Sequence, residues 1–368
     1  DTFNYTLLDS AGGRFAIDLN TGEITVADGS LLDFETTTSH DVTVQVMDSS
    51  GSTYNETIAI TVNDVNDAPV MTASSPTYPA TEDGAPFTAS VAAFLGSTVT
   101  DADAGAVEGA AIFGSAGSGG TLEYSINGGS SWTTIPTVDS TSALLLREND
   151  LIRFTPDTEN GGTLTLDYHA WDQTSGTAGG TADVTTRGGS TAFSTADNTV
   201  TVTVADVNDE QVISTNNGAT FNEGSAGNTI TSSMLETTDV DNTAGELTYT
   251  VTANPSYGQL KLDGLVTTSF TQSEIDAGRI TYDHDDSENL ADSFSFSVDD
   301  GAGSASTGSF SITLNPINDN AVAITSDGGG ATASVNVNET VSFVTQVTVS
   351  DADMPGDTMT YSITGGAD

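Results

Sequence analysis

The sequence predicts an all-β chain of tandem β-sandwich domains, and three observations carry that prediction. Alternating apolar and polar runs of strand length fill the chain, a closing segment recurs three times, and helical periodicity is nearly absent.

The recurring segment comprises residues 57–70 (TIAITVNDVNDAPV), 199–212 (TVTVTVADVNDEQV) and 309–322 (SFSITLNPINDNAV). In each, a strand runs into an acidic linker. Ile58, Ile60 and Val62 alternate with smaller or polar residues, as do Val200, Val202 and Val204, then Phe310, Ile312 and Leu314. That is the period of a strand with one buried face. Before each lies a second repeat, 42–51 (VTVQVMDSSG), 166–176 (LDYHAWDQTSG) and 294–301 (FSFSVDDG), which reads as a strand entering a glycine-bearing turn. Each domain is therefore expected to end in a hairpin.

A third repeat opens the domains: Asp101-x-Asp103, Asp239-x-Asp241 and Asp351-x-Asp353, the last two followed by LTYTV (247–251) and MTYSI (359–363). The first residues, DTFNYTLL from Asp1, match DTMTYSIT from Asp357. The expected domains are 1–69, lacking its first strands; 70–209, longer and with Gly-rich loops; 210–319; and 320–368, the N-terminal part of a further domain. This suits a stretch taken from a long array in which each unit contacts mainly its neighbours. Completion of the two partial domains by strand donation between chains is a less economical alternative.

Helix is expected to be minor. Residues 271–278 (TQSEIDAG) carry capping-box spacing at Thr271 and Glu274 but read as a turn between strands. The Gly-rich stretches 105–120 and 176–189 lack an apolar period and read as long loops of the second domain.

Charge is the strongest compositional signal. The 368 residues hold 52 acidic side chains against six basic ones, for a net charge of −46. Nucleic acid and anionic membrane surfaces are excluded as partners, because both require a basic face. So much carboxylate either disorders a chain or recruits hard cations, and the regular alternation argues against disorder. With no Cys, neither disulfides nor zinc–thiolate sites are available. No signal peptide and no apolar run of membrane-spanning length is seen.

The carboxylates are placed, not scattered. An Asp-x-Glu precedes each terminal hairpin: Asp33 and Glu35, Asp157 and Glu159, Asp286 and Glu288. The linkers add Asp64, Asn66 and Asp67, then Asp206, Asn208 and Asp209, then Asn318 and Asp319. Residues two apart in an extended chain point the same way and offer two carboxylates to one cation.

These motifs resemble the cadherin calcium motifs: LDFE, DVNDAP and DAD stand where that family has LDRE, DxNDN and DxD, and FAIDLNTGEITV (15–26) is similar to the cadherin hairpin before LDRE. YDHDDSE (282–288) and DSFSFSVDDG (292–301) are closer to the chondroitin sulfate proteoglycan type of cadherin-like repeat, found in bacterial surface proteins. The resemblance implies Greek-key, immunoglobulin-like sandwiches whose junctions bind calcium (Ca²⁺). It also implies further ligands, an early Glu and a hairpin Asp. The middle junction then draws on Glu82, Asp157, Glu159, Asp206, Asn208, Asp209, Asp239, Asp241 and Asp300. Eight of these are carboxylates, which two or three Ca²⁺ neutralise. The first junction draws on Asp33, Glu35, Asp64, Asn66, Asp67, Asp101, Asp103 and Asp172, and the third on Glu223, Asp286, Glu288, Asn318, Asp319, Asp351 and Asp353. The third is expected to bind more weakly, with Asn315 in place of an acid.

Catalysis is not expected. Paired carboxylates suit glycoside hydrolysis, but acids repeated at every junction do not make one pocket. His40, His169 and His284 have no nucleophile or metal partner at a telling spacing and read as structural. Tyr124 and Trp132 (in YSINGGSSW), with Tyr168 and Trp171, read as hairpin and core residues of the second domain, the alternative being a sugar-stacking platform. The expected function is a calcium-stiffened spacer or adhesion segment of a giant surface protein, in a bacterial setting of attachment, biofilm or filament formation. The alternative is a carbohydrate-binding module on such spacers. Expected partners are neighbouring repeats, like chains or surface glycans.

Overall fold

The computed structural model describes residues 2–353 and 359–365, and the chain divides into two units, 1–207 and 208–368. Asp1, Asp357 and Thr358, on which the match between the two chain ends partly rests, lie outside the described residues.

In the first unit, strands Asn4–Asp9, Ser39–Met47 and Thr53–Thr61 form one antiparallel sheet in that order. Ser39 pairs with Thr61 and Met47 with Thr53, which makes the expected terminal hairpin. Val42 and Val44 are buried on one face, as the alternation requires. Phe15–Ile17 and Ile24–Val26 pair as the predicted short hairpin.

The rest of this unit is a two-sheet sandwich. The larger sheet runs Thr181–Ala182, Ala143–Arg147, Gly109–Gly117, Gly162–Trp171, Phe193–Ala205, Thr77–Thr81, with the last two strands parallel. The smaller runs Thr133–Thr134, Gly120–Ser125, Leu151–Pro156, Phe87–Ser90. Leu164, Leu166 and Tyr168 from one sheet meet Leu122, Ile152 and Phe154 from the other across a common core. A one-turn helix, Val91–Leu95, plugs the end of that core with Val91, Phe94 and Leu95.

One expectation fails here. The stretch 105–120 is not a loop, since Gly109–Gly117 is a strand paired on both sides. Ala110, Ala111 and Ile112 are all buried, so this strand has no polar face to alternate. Its glycines mark close approach: a Cβ at Gly117 would lie 1.9 Å from the Thr163 carbonyl oxygen. The terminal hairpin forms as expected from Gly162–Trp171 and Phe193–Ala205, and the Gly-rich stretch 176–189 lies, also as expected, in the long excursion of residues 172–192 between them. That excursion folds back on the outer face of the sheet. Val184 and Ala192 pack there with Trp171, Phe193 and Leu145 in a second apolar cluster, and the Trp171 indole N–H donates to the Ser175 carbonyl at 2.7 Å.

The second unit repeats the sandwich. One sheet runs Ala219–Asn222, Ser306–Asn315, Ala291–Asp299, Thr248–Ala253, Ser269–Thr271, and the other Asn228–Thr229, Ile280–His284, Gly258–Leu262, Leu265–Val266. The core is aromatic, with Tyr249, Phe270, Tyr282, Phe294, Phe296 and Phe310 buried. Residues 272–276 form a short helix, not the expected turn. Thr271 accepts from the Glu274 N–H while Glu274 accepts from the Thr271 N–H, completing the capping box, and Ile275 anchors the turn in the core. LTYTV contributes to Thr248–Ala253 as expected, whereas MTYSI at 359–363 forms no strand. Beyond residue 320 the described strands are Ala323–Ile324 and Val349–Ser350, paired with one another.

Candidate metal centres

The first centre lies where residues 62–69 lead from the N-terminal sheet of the first unit to its sandwich. Glu35, Asp64 and Asp103 each bring a carboxylate oxygen within 4.8 Å of the other two. Strand Thr53–Thr61 ends just before Asp64, which delivers the linker to the site. Around the cluster, hydrogen bonds fix the chain. The Asp67 N–H donates to Asp103 Oδ2 at 2.9 Å, and the Asp103 N–H to Asp101 Oδ1 at 2.9 Å. The Asn66 amide donates to Asp172 Oδ2 at 2.9 Å and to the Thr191 carbonyl at 3.2 Å, while Asp172 Oδ1 accepts from the Thr174 hydroxyl and N–H. Asp33 accepts from the Thr36 hydroxyl at 2.7 Å and N–H at 3.1 Å, bonds that lower its pKa.

These carboxylates are placed against their electrostatic preference. Burial pushes the Asp101 pKa up, and the charges of Asp103, Asp172 and Asp67 add to it. At Glu35 a bond to its own backbone pulls the pKa down, but desolvation and the charges of Asp64, Asp67 and Asp103 outweigh it. Asp101 Oδ2, Asp103 Oδ1 and Asn66 Oδ1 are buried with no hydrogen-bond partner. A buried acceptor left unmatched is costly, and a cation would match it.

The start of the second unit repeats three of these bonds. The Asp209 N–H donates to Asp241 Oδ2 at 2.7 Å, the Asp241 N–H to Asp239 Oδ1 at 2.8 Å, and the Asn208 amide to Asp300 Oδ2 at 2.9 Å. At Asp300 burial would raise the pKa, but the Ala302 N–H and the Asn208 amide hold it low. Asp239 Oδ2 is buried and unmatched, as is Asn242 Oδ1, a residue that the motif reading missed. The first unit carries its own acidic end. Buried Glu82 accepts from the Val207 N–H at 2.5 Å, and Asp206 from the Gly161 N–H at 2.8 Å. Asp157 Oδ1 accepts from Asn160 at 2.9 Å and Glu159 at 3.3 Å, closing the turn of the Asp-x-Glu motif, with Glu159 itself exposed.

In the second unit, Glu223, Glu288 and Asp353 form a further cluster within 4.8 Å. Burial and the charges of Glu223, Asp353 and Asp319 push the Glu288 pKa up, and burial with Asp286, Asp353 and Glu223 does the same at Asp319. Glu223 Oε2 is buried and unmatched. Asp286 sits at φ +69°, and Asp351 accepts from the Asp353 N–H at 3.2 Å. One oxygen of Glu223 accepts from the Ile317 N–H, as Glu82 does from Val207, so Pro316 stands where the other linkers have an acid. The expected gap at Asn315 is thus misplaced by one residue. Asn315 ends strand Ser306–Asn315 and pairs with Asn222. Asn320, absent from the expected ligand set, donates its amide to Glu288, Asp319 and Asp353, and its N–H to Asp353 Oδ2 at 2.9 Å. It was legible as the last position of DxNDN, which Ala68 and Glu210 fill in the other linkers.

The remaining candidates are structural. His169 is buried, stacked on Phe113 at 4.6 Å, and bonded to the Ala196 carbonyl and Arg187; His284 accepts from the Gly224 N–H at 2.9 Å. Trp171 and Tyr168 are buried and Tyr124 packs against the core, but Trp132 departs from expectation, with Arg153 stacked 4.2 Å from its ring.

The chain is thus built of β-sandwich domains joined by acidic linkers. The family model described as cadherin-like matches residues 211–314, so the sandwich of the second unit is a cadherin-like domain. Among curated proteins, human extracellular matrix organizing protein FRAS1 is 34% identical over 127 residues, 33% of this chain and 3% of that protein. Extracellular matrix protein 3 of the sea urchin Lytechinus variegatus is 30% identical over 175 residues, 45% of this chain and 6% of that protein. The chain therefore spans only a few per cent of the length of these relatives. Among solved structures, the protocadherin gammaB4 extracellular domain aligns with 96% of this chain and 51% of its own at a TM-score of 0.54 and 17% identity. Protocadherin gamma B2 domains 3–6 align with 95% and 76% at a TM-score of 0.51 and 17% identity. At such identity the likeness shows the fold. The relatives named here are animal matrix proteins, with no bacterial surface protein among them.

Proposed function

We propose that this chain is a calcium-stiffened extracellular spacer segment of a large adhesion or matrix protein. The observation that carries it is the repeated neck chemistry: two clusters of three carboxylates, with unmatched buried oxygens on Asn66, Asp101 and Asp103 at the first and on Glu223 at the other. Separations up to 4.8 Å fit oxygens on one Ca²⁺ shell, whose radius of about 2.3–2.6 Å gives a diameter of about 4.6–5.2 Å. Glu35, Asp64 and Asp103 would hold an ion in the first neck, with Asp67, Asp101 and Asn66 beside it. Glu223, Glu288 and Asp353 would do so in the third. By motif correspondence, Glu82, Asp157, Glu159, Asp206, Asn208, Asp209, Asp239, Asp241 and Asp300 take the same role in the middle neck. Bound Ca²⁺ cancels the repulsion among these acids and ties linker to sandwich. The chain's own hydrogen bonds set the linker register so that no large ordering cost remains. The role is mechanical and non-catalytic, in attachment between cells or within a matrix or filament, with neighbouring repeats and like chains as partners.

Limited proteolysis tests the reading. In millimolar Ca²⁺ the linkers at 64–70 and 206–212 should resist cleavage, and chelator should open them while the sandwiches stay intact. Equal cleavage with and without Ca²⁺ would overturn it. The sugar-binding reading built on Trp132 and Trp171 loses its platform, because Trp171 is buried and Trp132 is stacked on Arg153.

A further inference from the structure

Independently of calcium, we infer a subsite for a neutral hydroxylated ligand, a pyranose-sized sugar, in a cleft at one end of the second sandwich. The cleft has a volume of 390 Å³ and is walled by three turns, around residues 107, 126–128 and 147–150, and by Gln173. That volume falls within the range of small-molecule sites.

The cleft is preorganised by an ion pair whose carboxylate is buried and whose guanidinium reaches the surface. Asp150, only 3% exposed, accepts from the Arg147 N–H at 2.7 Å, from Nε at 3.2 Å and from Nη2 at 2.8 Å. Nη2 also donates to the Ile126 carbonyl at 3.0 Å, tying two of the turns together. The guanidinium is thus fixed in place with its Nη1 edge uncommitted among the described residues. Gln173 is held at φ +66°, a left-handed conformation uncommon for a residue with a Cβ. Its amide donates to the Glu108 carbonyl at 2.7 Å, which leaves Oε1 without a described partner. Glu148 accepts from Asn149 through Oε1, which leaves Glu148 Oε2 and Asn149 Oδ1 likewise uncommitted.

The ligand class follows from that inventory. Residues lining the one cleft carry a fixed donor edge and three acceptor oxygens, so the ligand must supply several donors and at least one acceptor. Hydroxyl groups do both. An ammonium would meet the fixed guanidinium, and a carboxylate or sulfate would meet Glu148 and the net charge of −46. Val107 and Ile126, 49% and 42% exposed, offer an apolar wall to the C–H face of a sugar ring.

The test uses the full chain in calcium buffer, titrated by saturation-transfer NMR and calorimetry with the methyl pyranosides of glucose, galactose and mannose. Methyl glucuronide and glucosamine serve as charged comparators. At least one neutral pyranoside should bind with a dissociation constant in the millimolar range. Asn149→Ala and Gln173→Ala should each weaken it by about five- to tenfold, the loss of one hydrogen bond. Asn149 is exposed, so its variant keeps the fold; an unchanged thermal midpoint checks this for both. Trp132→Ala should bind as the wild type does. The proposal is overturned if no neutral pyranoside saturates by about 50 mM, if a charged comparator binds more tightly, or if the variant carrying both Asn149→Ala and Gln173→Ala binds unchanged.

Discussion

Removing Ca²⁺ should loosen the first neck while leaving the sandwiches as they are, and the amides that bridge linker and sandwich report on it directly. These are the N–H groups of Asp67 on Asp103 Oδ2 at 2.9 Å and of Ala68 on the Gly189 carbonyl at 2.7 Å. An ion that binds only the closed neck stabilises it by RT ln(1 + [Ca²⁺]/Kd). Extracellular calcium modules have dissociation constants of about 10⁻⁴–10⁻³ M. At a hundredfold excess over Kd the closed neck gains about 2.7 kcal/mol, equal to about a hundredfold in the opening equilibrium. Amide exchange followed by mass spectrometry over residues 62–72 should therefore quicken by about that factor on adding chelator. The ladder between Gly162–Trp171 and Phe193–Ala205 serves as the internal control, since its amides lie within one sheet. Asp103→Asn keeps the side chain's shape and one acceptor oxygen but removes the charge, and it should abolish most of the calcium response. Exchange at 62–72 that changes by less than about twofold with chelator, in a range where the control is steady, would refute the reasoning.

Other outcomes follow from particular residues. The third neck, with Pro316 in place of an acid, should show a smaller calcium response at 317–320 than the first shows at 64–68, and Pro316→Asp should raise it; exchange mass spectrometry on the same samples decides. Burial holds the His169 pKa below its usual 6.5, against the Ala196 carbonyl and with the Arg187 charge adding to the depression. The unfolded chain then binds the extra proton first, so this stability is present above pH 6.5 and is lost as pH falls through the lowered value, by at most about 1.4 kcal/mol per pH unit. Urea unfolding followed by tryptophan emission isolates the effect, because Trp132 and Trp171 are the only tryptophans, and His169→Gln should flatten the dependence. Gly117→Ala, at φ +120° with a Cβ 1.9 Å from the Thr163 oxygen, should cost that sandwich at least about 2 kcal/mol in the same assay. A cost below about 0.5 kcal/mol would mean that the close strand approach there is not required.

Strand alternation and the recurring acidic motifs were legible because each is a local pattern. Val42 and Val44, or Phe294 and Phe296, declare a half-buried strand by their spacing alone, and Asp64 or Asp239 declares itself by standing in a repeated motif. The strand Gly109–Gly117 was not legible. Its Ala and Gly residues are small because neighbouring backbones press on both sides, a condition that no local period encodes. The helix at 272–276 was misread for a related reason: its capping box was visible, but the burial of Ile275 that makes one turn worth forming comes from the rest of the sandwich.

By itself the sequence determined the all-β class, the tandem order and which residue types gather at the linkers, because strand period and charge are written residue by residue. Only the tertiary structure decided which of those acids meet. It brought Glu35 to Asp64 and Asp103, and Glu223 to Glu288 and Asp353. Such choices depend on hydrogen bonds between segments tens to more than a hundred residues apart, and those are set by how the sandwiches close.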